Sequence, residues 1–228
     1  MEQVQEQVLE DPFQSLDIAA KETTTALARA NIRHAFIGGY AVSLIANLTQ
    51  DLDIIVDADP IDARNLLLQA HSEFRLSQSS KLIFTGGRED VVIELLRGGR
   101  DRQLKLPDAN AVSIVSLTAK HRPQIISNTP IPVVAPSVLV LTKIKRWSFL
   151  AESTRPQSVK KRRSDVRDIE VLVNWLAENE LHMNFEGYPE KPKEELLSGV
   201  RKLYQMHAAI RPLLETTMDA EDFALINN

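Results

Sequence analysis

Asp51 and Asp53, in Asp51-Leu52-Asp53-Ile54, stand eleven residues (Tyr40 to Gln50) after the triplet Ile37-Gly38-Gly39. On a strand, residues i and i+2 lie on one face, so the two carboxylates project together while Leu52 and Ile54 turn to the other side. Two carboxylates held that close repel each other unless a cation lies between them. Hard oxygen donors of this kind suit Mg²⁺ or Mn²⁺, and Mg²⁺ typically takes one or two carboxylates together with substrate phosphate oxygens. A glycine pair that opens a helix offers its backbone N–H groups to a phosphate. A phosphate cradle facing a divalent-metal site is the equipment for phosphoryl or nucleotidyl transfer.

A third acid would complete such a site. Glu94 is the only acid in the apolar run Val91-Val92-Ile93-Glu94-Leu95-Leu96, where a buried, unpaired carboxylate would be costly. The plain alternative for Glu94 is a salt bridge to Arg97 or Arg100.

This order and spacing resemble the nucleotidyltransferase superfamily, which includes DNA polymerase β and the antibiotic- and antitoxin-type enzymes. Its pattern is a hydrophobe and Gly-Gly or Gly-Ser, a spacer, Asp-h-Asp/Glu-h, and later a strand h-Asp/Glu-h. The match runs over roughly residues 33 to 96. The resemblance implies a small mixed β-sheet flanked by helices, with Gly38 and Gly39 at the triphosphate of an NTP (ATP by default). It also implies that Asp51, Asp53 and Glu94 hold Mg²⁺ (or Mn²⁺), and that Glu94 is placed to deprotonate an acceptor hydroxyl. Downstream, Pro132 to Pro136 leading into Leu139, Lys143 and Arg146 resembles the segment after the catalytic sheet. There Lys143 is implied to face the nucleotide phosphates. Lys161, Asp165 and Asp168 resemble a Lys-x-x-x-Asp-x-x-Asp pattern of the next helix. One departure is that no arginine lies shortly before Thr49-Gln50-Asp51, which leaves the acceptor undefined.

The surrounding elements must bring these residues together. Residues 1–11 are polar and expected to be flexible; 12–135 read as the catalytic core; 136–228 read as a helical C-terminal region, giving an α+β (mixed) class. Helices are expected over Pro12–Ala30, weakened by Thr23 to Thr25, and over Tyr40–Asn47. Another should begin at Asp59 as N-cap with Pro60 at N1 and run to about His71. Strands are expected at His34–Ile37, Leu52–Val56, Lys81–Thr85, Val91–Leu96 and Ile131–Val134, with a hairpin turn at Gly86 to Glu89. Ala111–Leu117 suits a strand or a short helix. Helices follow over Pro136–Leu150, Asp165–Asn179 and Lys193–Leu214, the last with His207 on its apolar stripe, and 151–163 reads as a charged, irregular stretch.

The composition narrows the classes. The 228 residues are 43% hydrophobic and 25% charged, as in an ordinary soluble globular protein, and a net charge of -4 gives no general affinity for nucleic acid. With no cysteine, thiolate catalysis and disulfides are excluded. The acidic N-terminus lacks the apolar core of a signal peptide, and no run approaches the roughly 18 apolar residues of a membrane span. Cytoplasmic location is therefore the default, with a nuclear address open through Lys160-Lys161-Arg162-Arg163. The five histidines show no paired metal-ligand spacing, and Trp147 and Trp175 suit cores better than base stacking.

The expectation is an enzyme that moves an NMP from an NTP to a hydroxyl and releases pyrophosphate. The acceptor (small molecule, RNA or protein) and the oligomeric state stay open. So do three other readings: an inactive nucleotide-binding antitoxin or regulatory scaffold, an RNA 3′-end nucleotidyltransferase using the basic stretch at 155–167, and an interaction protein whose acids are merely solvated.

Overall fold

The apolar strand β1, His34–Ile37, pairs antiparallel with β2, Asp51–Val56, at the middle of a seven-stranded mixed sheet. The computed structural model describes residues 13–45, 51–117 and 129–227. The expected flexible stretch 1–11 and the last residues of the helix expected over Tyr40–Asn47 lie outside them. The remaining strands are β3 (Phe74–Leu76), β4 (Leu82–Phe84), β5 (Val91–Leu96), β6 (Ile114–Leu117) and β7 (Ile131–Val134). Their order across the sheet is β3-β4-β5-β2-β1-β7-β6. The pairs β2–β5 and β1–β7 are parallel, and all others are antiparallel.

The helices of the first half are α1 (Gln14–Arg29), α2 (Gly38–Ser43) and α3 (Pro60–Ala70), and α1 and α3 pack on each other and on the sheet. Thr23 to Thr25 do not interrupt α1. Thr25 hydrogen-bonds back to the Lys21 carbonyl, and Thr23 is buried against the core. Asp59 caps α3 as its sequence implies, with Oδ1 accepting the Ile61 N–H at 2.8 Å. β3 escaped the sequence reading because Phe74-Arg75-Leu76 is too short to show a period, and its pairing with β4 is what makes it a strand. Ala111–Leu117, expected as a strand or a short helix, is the strand β6 over Ile114–Leu117 and turn before it.

The C-terminal half is helical: α4 (Pro136–Leu150), α5 (Pro156–Glu178), α6 (Lys193–Met206), α7 (Arg211–Thr217) and α8 (Ala220–Asn227). Two expectations are corrected here. The charged stretch 151–163 is not irregular beyond Arg155: α5 begins at Pro156 in an N-terminal position where its missing N–H costs nothing, and lysine and arginine are good helix formers. The single helix expected over Lys193–Leu214 breaks at His207, and after one 3₁₀ turn α7 restarts with Pro212 in its first turn. His207 is partly buried at the break, edge-on to Trp147 at 5.5 Å between ring centroids. Trp147 is fully buried where α4 meets α6, whereas Trp175 is only partly buried against the core. Among the described residues no helix is long and apolar enough to cross a membrane.

Because Trp147 fills the α4–α6 contact completely, Trp147→Ala should lower the unfolding free energy by about 3–5 kcal/mol. Urea denaturation at constant m-value is the check.

Candidate active site

The sheet brings the three acids together by register. Asp53 lies opposite Ile37 of β1 on one side and opposite Glu94 of β5 on the other. Asp51, two residues earlier, shares its face, while Leu52 and Ile54 are fully buried on the opposite one. Asp53 is partly exposed and Asp51 and Glu94 are exposed, so the expected burial of Glu94 does not hold. Its solvation removes the cost that made it conspicuous in sequence, but not its place in the row. Among the described residues it forms no ion pair with Arg97 or Arg100.

Directly after Ile37 the chain turns into the six-residue α2, and Gly38 takes φ +71°, the left-handed region that side chains strain to adopt. A Cβ on Gly38 would stand 2.0 Å from Asp53 Oδ2, so the glycine also makes room for the carboxylate. Gly39 is the second residue of the same turn. Tyr40 then pins α2 to α1, its hydroxyl donating to buried Asp17 at 3.0 Å.

The acids repel as their spacing implies. Burial, then the charges of Asp51 and Glu94, push the Asp53 carboxyl up to about 6, against the opposing pull of Lys143 and Arg146. Those two cations come from α4 and are held by α5. Lys143, 2% exposed, donates to Asp168 Oδ2 at 2.6 Å. Arg146 Nε reaches both oxygens of fully buried Asp165 at 3.1 and 3.0 Å, and its Nη2 also bonds Asp165. The Lys-x-x-x-Asp-x-x-Asp pattern thus has a structural meaning: its aspartates are the partners of Lys143 and Arg146, whereas Lys161 is exposed.

A cleft of about 810 Å³ lies between these walls. Gly38, Asp53 and Glu94 line one side, and Lys105, Lys143, Lys145, Arg146, Lys161 and Lys191 give the rest a cationic character. Lys105, Lys145 and Lys191 were not foreseen. Lys105 and Lys191 sit in connections without periodic pattern, and Lys145 falls beside the Leu139–Lys143–Arg146 stripe. Lys145 donates to the Leu104 and Lys105 carbonyls and the Tyr188 hydroxyl at 2.7, 3.1 and 2.8 Å, tying the 98–108 connection to α4. Burial, then the charges of Lys191 and Arg146, bring its ammonium down to about 8. Phe149, 87% exposed, and Leu104 add apolar surface to the cleft.

Among the described residues no three acidic or imidazole side chains converge closely enough to enclose a metal ion by themselves. The hard-oxygen set is open instead. It matches an ion that shares its coordination with phosphate oxygens, and Asp53, whose charge is opposed by burial and then by Asp51 and Glu94, is the group such an ion would relieve.

No protein-family model matches the chain, and no curated protein matches it. Among solved structures, an antigenic nucleotidyltransferase-like protein from Paracoccidioides brasiliensis aligns with a TM-score of 0.70 at 19% identity, over 94% of this chain and 97% of that one. That likeness shows a nucleotidyltransferase fold. The antibiotic-resistance factor ANT(2'')-Ia aligns more loosely, with a TM-score of 0.44 at 10% identity over 87% of this chain and 97% of its own.

Two outcomes follow from the electrostatics. A carboxyl whose folded pKa is raised costs nothing below its unfolded value near 4 and costs most above about 6. Asp53→Asn should therefore stabilise the metal-free protein by about 1–3 kcal/mol at pH 7.5 and leave it unchanged at pH 4, as read by denaturation in chelator. Asp168→Ala strands buried Lys143 and should cost about 3–5 kcal/mol in the same assay.

Proposed function

We propose that the chain is a metal-dependent nucleotidyltransferase, moving an NMP from an NTP, ATP by default, to an acceptor hydroxyl. The observation that carries this reading is the register Ile37–Asp53–Glu94, which sets a left-handed glycine, an acid pair and a third acid side by side at the wall of a cationic cleft. The structure fits the requirement of the chemistry: negative groups where a cation belongs, and positive groups where phosphates belong.

In this reading the triphosphate lies over Gly38 and Gly39, whose lack of side chains lets it approach the backbone. Lys143 and Arg146 face its charge from α4, kept in place by Asp168 and Asp165 so that little ordering remains to be done on binding. Phe149 and Leu104 offer the nucleobase an apolar surface. Asp51 and Asp53, with Glu94, would hold Mg²⁺ or Mn²⁺, which when bound neutralises phosphate charge and polarises the reacting phosphoryl group. Glu94 accepts the acceptor's hydroxyl proton. The acceptor oxygen forms its bond to the α-phosphorus as the bond from that phosphorus to the pyrophosphate oxygen breaks, and pyrophosphate leaves with the electron pair.

Asp51→Ala and Asp53→Ala should each abolish Mg²⁺-dependent pyrophosphate release while the unfolding transition stays cooperative. Coupled pyrophosphate detection across the four NTPs measures it, and full activity in both variants refutes the assignment.

A further inference from the structure

Lys145 stands apart from the other cations of the cleft, because all three of its ammonium hydrogens are already taken. They go to the Leu104 carbonyl at 2.7 Å, the Lys105 carbonyl at 3.1 Å and the Tyr188 hydroxyl at 2.8 Å. Fully buried Tyr188 closes the triangle by donating to the same Lys105 carbonyl at 2.6 Å. An ammonium so occupied has no hydrogen left for a phosphate.

The triangle grips a strained point of the backbone. Lys105 has φ +43°, in the left-handed region that a residue with a side chain strains to occupy. The 98–108 connection is pinched where Gly99 N–H donates to the Leu106 carbonyl at 2.9 Å, and Asp108 N–H holds its far end to buried Glu190 at 2.9 Å. Residues 100–104 between them are exposed, and Lys145 ties the cleft side of this stretch to α4. Leu104 and Phe149 both line the cleft, and Phe149 follows Lys145 by four residues, on the same face of α4. The place of Leu104 relative to Phe149 is therefore set by the Lys145 bond to the carbonyl of Leu104 itself.

We propose that Lys145 is a positioning residue for the nucleobase: it fixes Leu104 relative to Phe149, and so shapes the apolar wall that receives the base, without touching the substrate. The inference rests on the nucleotidyl-transfer reading for its ligand, and on the hydrogen-bonded triangle for the way Lys145 acts. Lys145 then governs affinity for the nucleotide and leaves the chemical step at Asp51, Asp53 and Glu94 alone.

The test compares Lys145→Met, which keeps the stem and removes the donors, with Tyr188→Phe, which removes one hydroxyl from a residue that does not line the cleft. The full chain is titrated calorimetrically with an α,β-methylene ATP analogue and Mg²⁺. Lys145→Met should weaken binding roughly tenfold, and Tyr188→Phe roughly threefold. Pyrophosphate release at saturating ATP should stay within about threefold of the wild-type rate in both, so that the loss sits in KM and not in kcat. Hydrogen exchange over residues 98–108 should rise in both. Weaker binding in Lys145→Met alone, with Tyr188→Phe binding as the wild type does, means that the ammonium contacts the nucleotide directly, and overturns the inference. So does unchanged exchange in both variants, or a fall in kcat as large as the rise in KM. If Lys145→Met does not fold, Tyr188→Phe decides by itself. A wild type that binds the analogue, with both variants binding equally well, sinks this inference alone. A wild type that binds the analogue but releases no pyrophosphate sinks the transferase reading, while binding and exchange still judge Lys145. No binding of the analogue by the wild type sinks both.

Discussion

Like-charge repulsion along one row of the sheet is the constraint around which the rest of this molecule is arranged. Asp53 cannot relax away from Glu94, because both are fixed by a parallel ladder running from Asp51–Val92 to Ile55–Leu96. Nor is it neutralised by the helices facing it, because Lys143 and Arg146 spend their hydrogen bonds on Asp168 and Asp165. The fold thus holds a negative site and a positive wall apart at short range. In the proposed reaction that separation is what a polyphosphate with its cation would bridge, and the stability given up at Asp53 is a usual cost of a functional site.

The α4–α5 pair is the second requirement. Two ion pairs, with Asp165 and Asp168 almost wholly buried, join the helices. Pairs of this kind add little net stability over an apolar contact, yet they are severe about geometry, since either partner alone is a stranded charge. Fixing the rotation of α4 about its axis fixes which of its residues look into the cleft. Lys143 and Arg146 turn towards Asp53, and Lys145 turns towards the 98–108 connection and Tyr188.

How far the sequence speaks depends on whether a residue's role is set locally. The strand His34–Ile37, the turn at Gly38, the Asp59 cap and the Asp51–Asp53 pair all rest on neighbours within a few positions, and each is legible in the chain. Glu94 was found for a reason that only half holds: it is the sole acid of its strand, but solvent reaches it. Where the outcome depends on distant partners, the sequence is silent or misleads. β3 exists because β4 offers it a ladder. Lys105 and Lys191 carry no periodic signature, since their positions at the cleft are set by the course of connections between elements. The break at His207 has a local signal in Pro212, which cannot continue a helix, but the apolar stripe of α6 runs up to it and masks the end.

Gly38 has an evolutionary corollary. Its left-handed backbone angle strains any side chain, and a Cβ there would stand 2.0 Å from the Asp53 carboxylate, so no single codon change can reshape the floor of the large cleft without displacing Asp53. The rim carries no such prohibition. Phe149, 87% exposed on α4, and Lys161, exposed on α5, can each be exchanged one at a time while the acid row stays intact. Descendants of this chain that adopt new chemistry partners would be expected to diverge at those walls first, and to inherit the glycine unchanged.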